Sequence, residues 1–140
     1  MRETLKNIRE INAENCVTIA LNTHRTRPDS EKDSIHLKNL IKEAEERIFA
    51  DQSKQDAQKL VQRLRDLATN IDHSHNLESL LLFVNDEISE YVRLPIAVVD
   101  RVVIDNTFAT RDMVRALHME SNYYVLVLSK QNSRLIEAVN

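Results

Sequence analysis

Glycine is absent from all 140 residues. Average usage of about 7% would supply roughly ten. The absence excludes every motif built on a residue without a side chain: the phosphate-cradling P-loop, the dinucleotide fingerprint, the nucleophile elbow and the EF-hand calcium loop. Turns that need positive φ fall to Asn or Asp, and the pattern places them at Asn85-Asp86, Asp105-Asn106 and Asn132. The one cysteine, Cys16, permits no intrachain disulfide, which fits a reducing cytoplasm. Nothing near it in sequence would activate a thiol, so it reads as a small buried hydrophobe. No run is long and apolar enough to span a bilayer, and the opening "MRETLKNIREIN" is charged throughout, unlike a secretory signal. The expectation is a cytoplasmic protein with no membrane partner.

Basic charge is also in short supply. Nineteen Lys and Arg face 22 Asp and Glu, for a net charge of -3. Proteins that coat nucleic acid non-specifically are basic, because affinity comes from many phosphate contacts. Any contact with nucleic acid must therefore come from a local patch.

What is present is strong patterning. Hydrophobic residues make up 42% and charged residues 29%, as in a globular domain with its own core. Leu5, Ile8 and Ile11 mark a short helix from about residue 3 to 12. Cys16 to Leu21 is apolar and β-branched, a strand. Pro28, Asp29 and Ser30 break the pattern, and Ser30 with Asp33 resembles a capping box. Leu37, Leu40, Ile41, Ala44 and Ile48 then form one apolar helical stripe. A second cap, Ser53 with Asp56, opens a stripe of Ala57, Leu60, Val61, Leu64, Leu67, Ala68 and Ile71. The link is short, so helices at about 33–49 and 54–71 should fold back as an antiparallel αα-hairpin. "DHSHN" (72–76) ends it. "LLLFV" from Leu80 is a fully apolar strand, Asn85, Asp86 and Glu87 a turn, and "ISEYVRLP" an alternating strand broken at Pro95. "RVVID" is another strand, and Thr107 to Leu117 a short helix. "YYVLVLSKQNSRLIEAV" reads as a terminal hairpin. The fold class expected is α+β: a mixed, mostly antiparallel sheet with a packed αα-hairpin, plus the opening β-hairpin of a second domain.

The chemistry-bearing residues are few. His24, Arg25 and Arg27 sit where a strand ends and a helix is about to start. Arginine grips phosphate through paired N–H groups, and free amides at a helix start add partial positive charge. The alternative is a solvated polar loop, with Arg25 or Arg27 paired to Asp29 or Glu31. Asp72, His73 and His75 are too few and too compact for a metal site, and the dipole at a helix C-terminus accounts for such histidines more simply. Asp86, Glu87 and Glu90 read as solvated turn carboxylates, and Ser129 and Ser133 merely flank a turn. Lys59, Arg63 and Arg65 form an outer helix face. No metal, cofactor or catalytic residue is expected.

The order of three segments carries a resemblance. "THRTRPDSEKDSIHLKNLIKEAEERI", "YVRLPIAVVDRVVIDNTFATRDMVRAL" and "YYVLVLSKQNSRLIEA" resemble the N-terminal part of the bacterial relatives of the archaeo-eukaryotic peptide-chain release factor and Pelota, the group that includes the ribosome hibernation factor Balon. The likeness runs from about Cys16 to Val139. Thr23, His24 and Arg25, the Leu37-Lys38-Asn39-Leu40 helix, and Arg93-Leu94-Pro95 match positions of the family pattern. The chain departs from it with Arg27-Pro28 in place of Gly-Pro, and with Asn22 in place of a proline. The resemblance implies a non-catalytic N-terminal domain over residues 1–120, with residues 121–140 opening a middle domain whose remainder, like the C-terminal domain, lies beyond this chain. The peptide-releasing Gly-Gly-Gln motif cannot occur without glycine. The implied partner is the ribosome near its A site, in termination, rescue or hibernation, with His24, Arg25 and Arg27 on ribosomal RNA as a local basic patch. Two other classes stand beside it: a protein-interaction or oligomerisation module, with the terminal hairpin from Tyr123 to Val139 as a dimer contact, and an RNA-processing enzyme domain.

Overall fold

The computed structural model describes residues 2–12, 15–26, 28–51 and 53–119. The chain is α+β. Helix α1 (Arg2–Arg9) leads to strand β1 (Cys16–Asn22), then α2 (Asp33–Asp51), α3 (Lys54–Thr69), β2 (Ser79–Val84), β3 (Ser89–Leu94), β4 (Arg101–Asp105) and α4 (residues 111–119). Short 3-10 turns occupy Asp29–Lys32 and His73–His75.

The strands lie in the order β3-β2-β1-β4. The mostly antiparallel sheet that was expected is antiparallel in each described pairing. The connections explain this. One crossover helix would return the chain parallel to β1, but the α2–α3 hairpin reverses it twice, so β2 runs back along β1. The short β2–β3 turn makes those two strands antiparallel neighbours, whereas residues 95–100 carry the chain across the sheet to the opposite edge, where β4 pairs antiparallel with β1.

Side chains alternate strictly across the sheet. Val17, Ile19 and Leu21 of β1, Leu80, Leu82 and Val84 of β2, and Val102 of β4 face the helical hairpin. There they meet Leu37, Ile41, Ala44 and Ile48 of α2 and Ala57, Leu60, Val61, Leu64 and Leu67 of α3. Leu40, expected in that stripe, is only partly buried at its margin. The opposite face is covered as well. Cys16, Ala20, Leu81, Phe83, Val92 and Leu94 pack against Leu5 and Ile8 of α1, Ile96 and Val98 of the β3–β4 link, Phe108, and Met113 and Ala116 of α4. Phe83 and Phe108 meet edge to face at 5.7 Å. The domain is thus three layers, with β2 buried on both sides, which is why it is apolar at nearly every position.

Several local expectations change. Ser30 does not cap α2: it lies inside the 3-10 turn Asp29–Lys32, which follows Pro28 without a side-chain cap, and the Ser30 N–H bonds the Thr26 carbonyl at 3.0 Å. Asp33 is the first residue of α2, and its carboxylate is used elsewhere. The Ser53 cap does form, its Oγ accepting from the Asp56 N–H at 3.4 Å and donating to the Asp56 carboxylate at 3.0 Å. Among the described residues positive φ occurs at Asn15 (64°), and neither Asn85-Asp86 nor Asp105-Asn106 adopts it. The β2–β3 turn closes instead through the Asn85 side chain, whose Oδ1 accepts from the Glu87 and Ile88 N–H groups at 2.8 and 2.6 Å. The last helix starts at 111, not 107, because Phe108 and the Ala109 N–H, which bonds Thr18 Oγ1 at 3.0 Å, are drawn down onto the sheet. Asn132, the terminal hairpin, its dimer contact and the domain boundary near 121 all lie outside the described residues.

Leu64 is wholly buried between α3 and the sheet. Leu64→Ala should cost about 2–5 kcal/mol as a large-to-small core change. Urea unfolding should show the midpoint falling with its slope unchanged; an unmoved midpoint would place that stripe outside the core.

Candidate functional site

The end of β1, the start of α2 and the connector into β2 meet at a buried carboxylate. Asp33 is 1% exposed. Its Oδ2 accepts from the His24 backbone N–H at 3.0 Å and from Asn76 Nδ2 at 3.0 Å, and its Oδ1 lies 2.9 Å from His24 Nδ1. A carboxylate only accepts, so the His24 proton in that bond sits on Nδ1, leaving Nε2 as the free ring nitrogen. The first turn of α2 adds favourable dipole to the negative charge.

The sequence around the clamp explains how it forms. Beyond β1 the ladder continues for one residue, with the Thr23 N–H on Glu78 O at 3.0 Å and Thr23 Oγ1 on Leu77 O at 2.7 Å. This leaves Thr23 buried and turns the next two side chains outward. His24 and Arg25 are 51% and 49% exposed. Arg25 Nε donates to Glu78 Oε1 at 2.7 Å. Arg25 therefore has a carboxylate partner, and it is Glu78 across the connector, not the sequence neighbours Asp29 or Glu31. The pairing uses one of five guanidinium donors, and the other four stay available to a ligand. Arg27, the third residue of the expected patch, is outside the described residues.

A second motif position arrives from β3. Arg93 donates from an Nη to Asp72 O at 2.8 Å and lies over the Tyr91 ring at 5.2 Å. Three stretches of sequence, 23–25, 33 and 93, thus converge on the connector 72–78. Local reading treated "DHSHN" as a helix terminator and Asp33 as half of a cap. The missed signal is Asn76, a carboxamide only 3% exposed, whose partner Asp33 lies 43 residues away in sequence.

The connector histidines are not alike. The second Asn76 N–H donates to His73 Nδ1 at 2.9 Å, so neutral His73 carries its proton on Nε2. Burial pushes the His73 pKa below its ordinary value, and Arg93 adds to this, against the smaller opposing pull of Asp33 and Asp72. Asp72 is held below the usual carboxylate range by bonds from the Ser74 hydroxyl and N–H, which make a small cap. His75 lies exposed, 3.4 Å from Asp72. Among the described residues no group of three or more His, Cys, Asp or Glu is arranged to hold a metal. Asp86, Glu87 and Glu90 sit on or beside the β2–β3 turn. Of the outer face expected on α3, Arg63 bonds Asn85 O at 2.8 Å and Arg65 grips Glu45. The Cys16 thiol is buried, within 3.6 Å of Asn106 O and 3.8 Å of Asn85 Nδ2. No described helix is long and apolar enough to cross a membrane.

The chemistry available at the clamp is donation to an anion from a firmly held loop. No protein-family model matches the chain, and no curated protein matches it.

Two outcomes follow. Asp33→Ala should cost about 1.5–3 kcal/mol, since charged hydrogen bonds are lost and buried donors are left unpaired. Amide exchange at His24 should accelerate in the same variant. For His73 the folded pKa lies below the unfolded value, so the unfolded chain binds the proton first. Stability should therefore be full above about pH 6.5 and decline as pH falls toward the folded pKa. His73→Gln should flatten that decline in pH-resolved urea titrations, and a His73 ring titrating at or above 6.5 by NMR would refute the assignment.

Proposed function

We propose that this domain is a non-catalytic ribosome-binding module, the N-terminal domain of a release-factor-like or Pelota-like translation factor that docks near the A site. The observation that carries this reading is the convergence on one connector. Thr23, His24 and Arg25 and the Arg93 stretch are the positions that match the family pattern, and they lie some seventy residues apart. They meet at 72–78 through Glu78, Leu77 and Asp72. Residues that share a sequence pattern and one surface are suited to sharing one partner.

Electrostatics supports a weak local contact. The Arg25–Glu78 pair is half-exposed on both sides, and such pairs contribute little. A phosphate can take the free Arg25 donors while Glu78 holds the guanidinium in place. The exposed His24 ring adds a second contact, and the Asp33 clamp fixes the backbone beneath both, which lowers the ordering cost on binding. Cytoplasmic localisation follows from this role.

The test uses the native protein and ribosome co-sedimentation over a salt series. Arg25→Ala with Arg27→Ala should weaken binding and make its salt slope shallower by about 0.7–0.9 per lost phosphate contact. Arg25→Ala alone should change stability by no more than about 0.5 kcal/mol, as for other surface changes. Unchanged affinity with an unchanged slope would reject the loop as the contact, and no sedimentation of the native protein would reject the function.

A further inference from the structure

A groove of about 480 Å³ lies between the first half of α2 and the end of α3, beside the connector. Its lining on α2 extends from Ser34 to Glu45, about 16 Å at the helical rise. The floor is Leu37, Ile41, Ala68 and Ile71; the rim carries Lys38 and Lys42; His73 closes one end. A volume of this size lies in the small-molecule range.

The rim charges are not equivalent. Arg65 also lines the groove, but Glu45 takes its Nε at 2.6 Å and an Nη at 3.0 Å, which neutralises both groups. Lys38 and Lys42 stand one turn apart on the exposed side of α2, and among the described residues neither has an acidic partner. The third donor is His73. Its Nδ1 is occupied by Asn76, so its Nε2–H remains free for a ligand. The groove therefore pairs an apolar floor with two unneutralised ammonium groups and one neutral N–H.

We propose that the α2–α3 groove binds a small anionic amphiphile of the fatty-carboxylate class, its aliphatic chain along Leu37, Ile41, Ala68 and Ile71 and its carboxylate held by Lys38, Lys42 and His73. Three features select this occupant. The positive rim requires a negative head group. The floor residues are almost covered, Leu37 being 2% and Ile41 and Ile71 each 6% exposed; this leaves a narrow apolar strip suited to a slim chain, whereas a docked helix is 10–12 Å across. The one arginine present is closed on Glu45, so the bidentate fork that favours a phosphate head is missing. The site is independent of the ribosome reading.

The experiment is an amide chemical-shift titration of the native protein with sodium decanoate, decyl phosphate and 1-decanol, each below its aggregation limit. Decanoate should saturate and shift amides of residues 34–45 and 65–73. Decanol should bind on the order of tenfold more weakly, the equivalent of one lost charged contact at about 1.4 kcal/mol. Lys38→Gln with Lys42→Gln should weaken decanoate by a similar factor and leave decanol unchanged; both positions are exposed, so the fold should persist. Decanol binding as tightly as decanoate would overturn the proposal, as would insensitivity to the lysine changes or shifts confined to other surfaces. Decyl phosphate binding tenfold more tightly than decanoate would overturn the carboxylate assignment.

Discussion

Asp33 places a carboxylate where water hardly reaches, and much of the domain's arrangement compensates for it. Burying a carboxylate costs several kcal/mol unless hydrogen bonds replace its hydration. Here His24 supplies two and Asn76 one. Those donors come from the end of β1 and from the connector into β2, so satisfying one charge fixes the entry and exit of the whole helical hairpin. The same bonds hold the loop that displays His24 and Arg25, and through Asn76 they set the proton position on His73. Loop and groove are thereby linked to one anchor.

That anchor sits on a sheet able to bear it. Because α1 and α4 cover the face that the hairpin leaves open, β1 and β2 form a doubly buried centre, and the ends of β1 have little freedom to shift. α4 is tied down in the same way, by a buried acid: Asp112 pairs with Arg101 of β4 at 2.9 Å and with Arg115 one turn on at 3.5 Å. Arg47 of α2 donates to Val102 O of β4 at 2.6 Å, which occupies a backbone acceptor on a strand at the sheet's edge and makes it a poorer template for another chain.

Much of this was legible in the sequence wherever the deciding contacts are local. The stripes of Leu37 to Ile48 and Ala57 to Leu67 announce two helices, the short link folds them together, and Ser53 caps the second as its spacing suggests. The strands from Cys16, Leu80, Ser89 and Arg101 follow from β-branched and apolar runs. What could not be read locally was pairing across distance. Asp33 looks like a helix-cap residue because its serine neighbour is three positions away; its real partners are nine and 43 positions away. Arg25 looks free to pair with Asp29, yet the β1–β2 ladder delivers Glu78. The second layer was hinted at by "LLLFV", since a strand exposed on one side would alternate, but which elements cover it depends on the tertiary fold.

The missing glycines connect these observations. A chain without them cannot easily reverse through left-handed backbone, and this one substitutes side-chain bonds. Asn85 closes the β2–β3 turn with its own carboxamide. Asn22 acts as an extra rung beyond the β1–β4 ladder: its Nδ2 donates to Val98 O at 2.6 Å and its Oδ1 accepts from the Val98 N–H at 2.9 Å, so one carboxamide reproduces both bonds of a strand pair. Its backbone N–H meets Asp100, whose other oxygen lies 3.2 Å from His36 of α2. Each device restrains a connection that glycine would leave loose. A domain built this way spends polar side chains on holding its loops still, so the positions of its connections are set by side-chain bonds and not by backbone turn geometry alone.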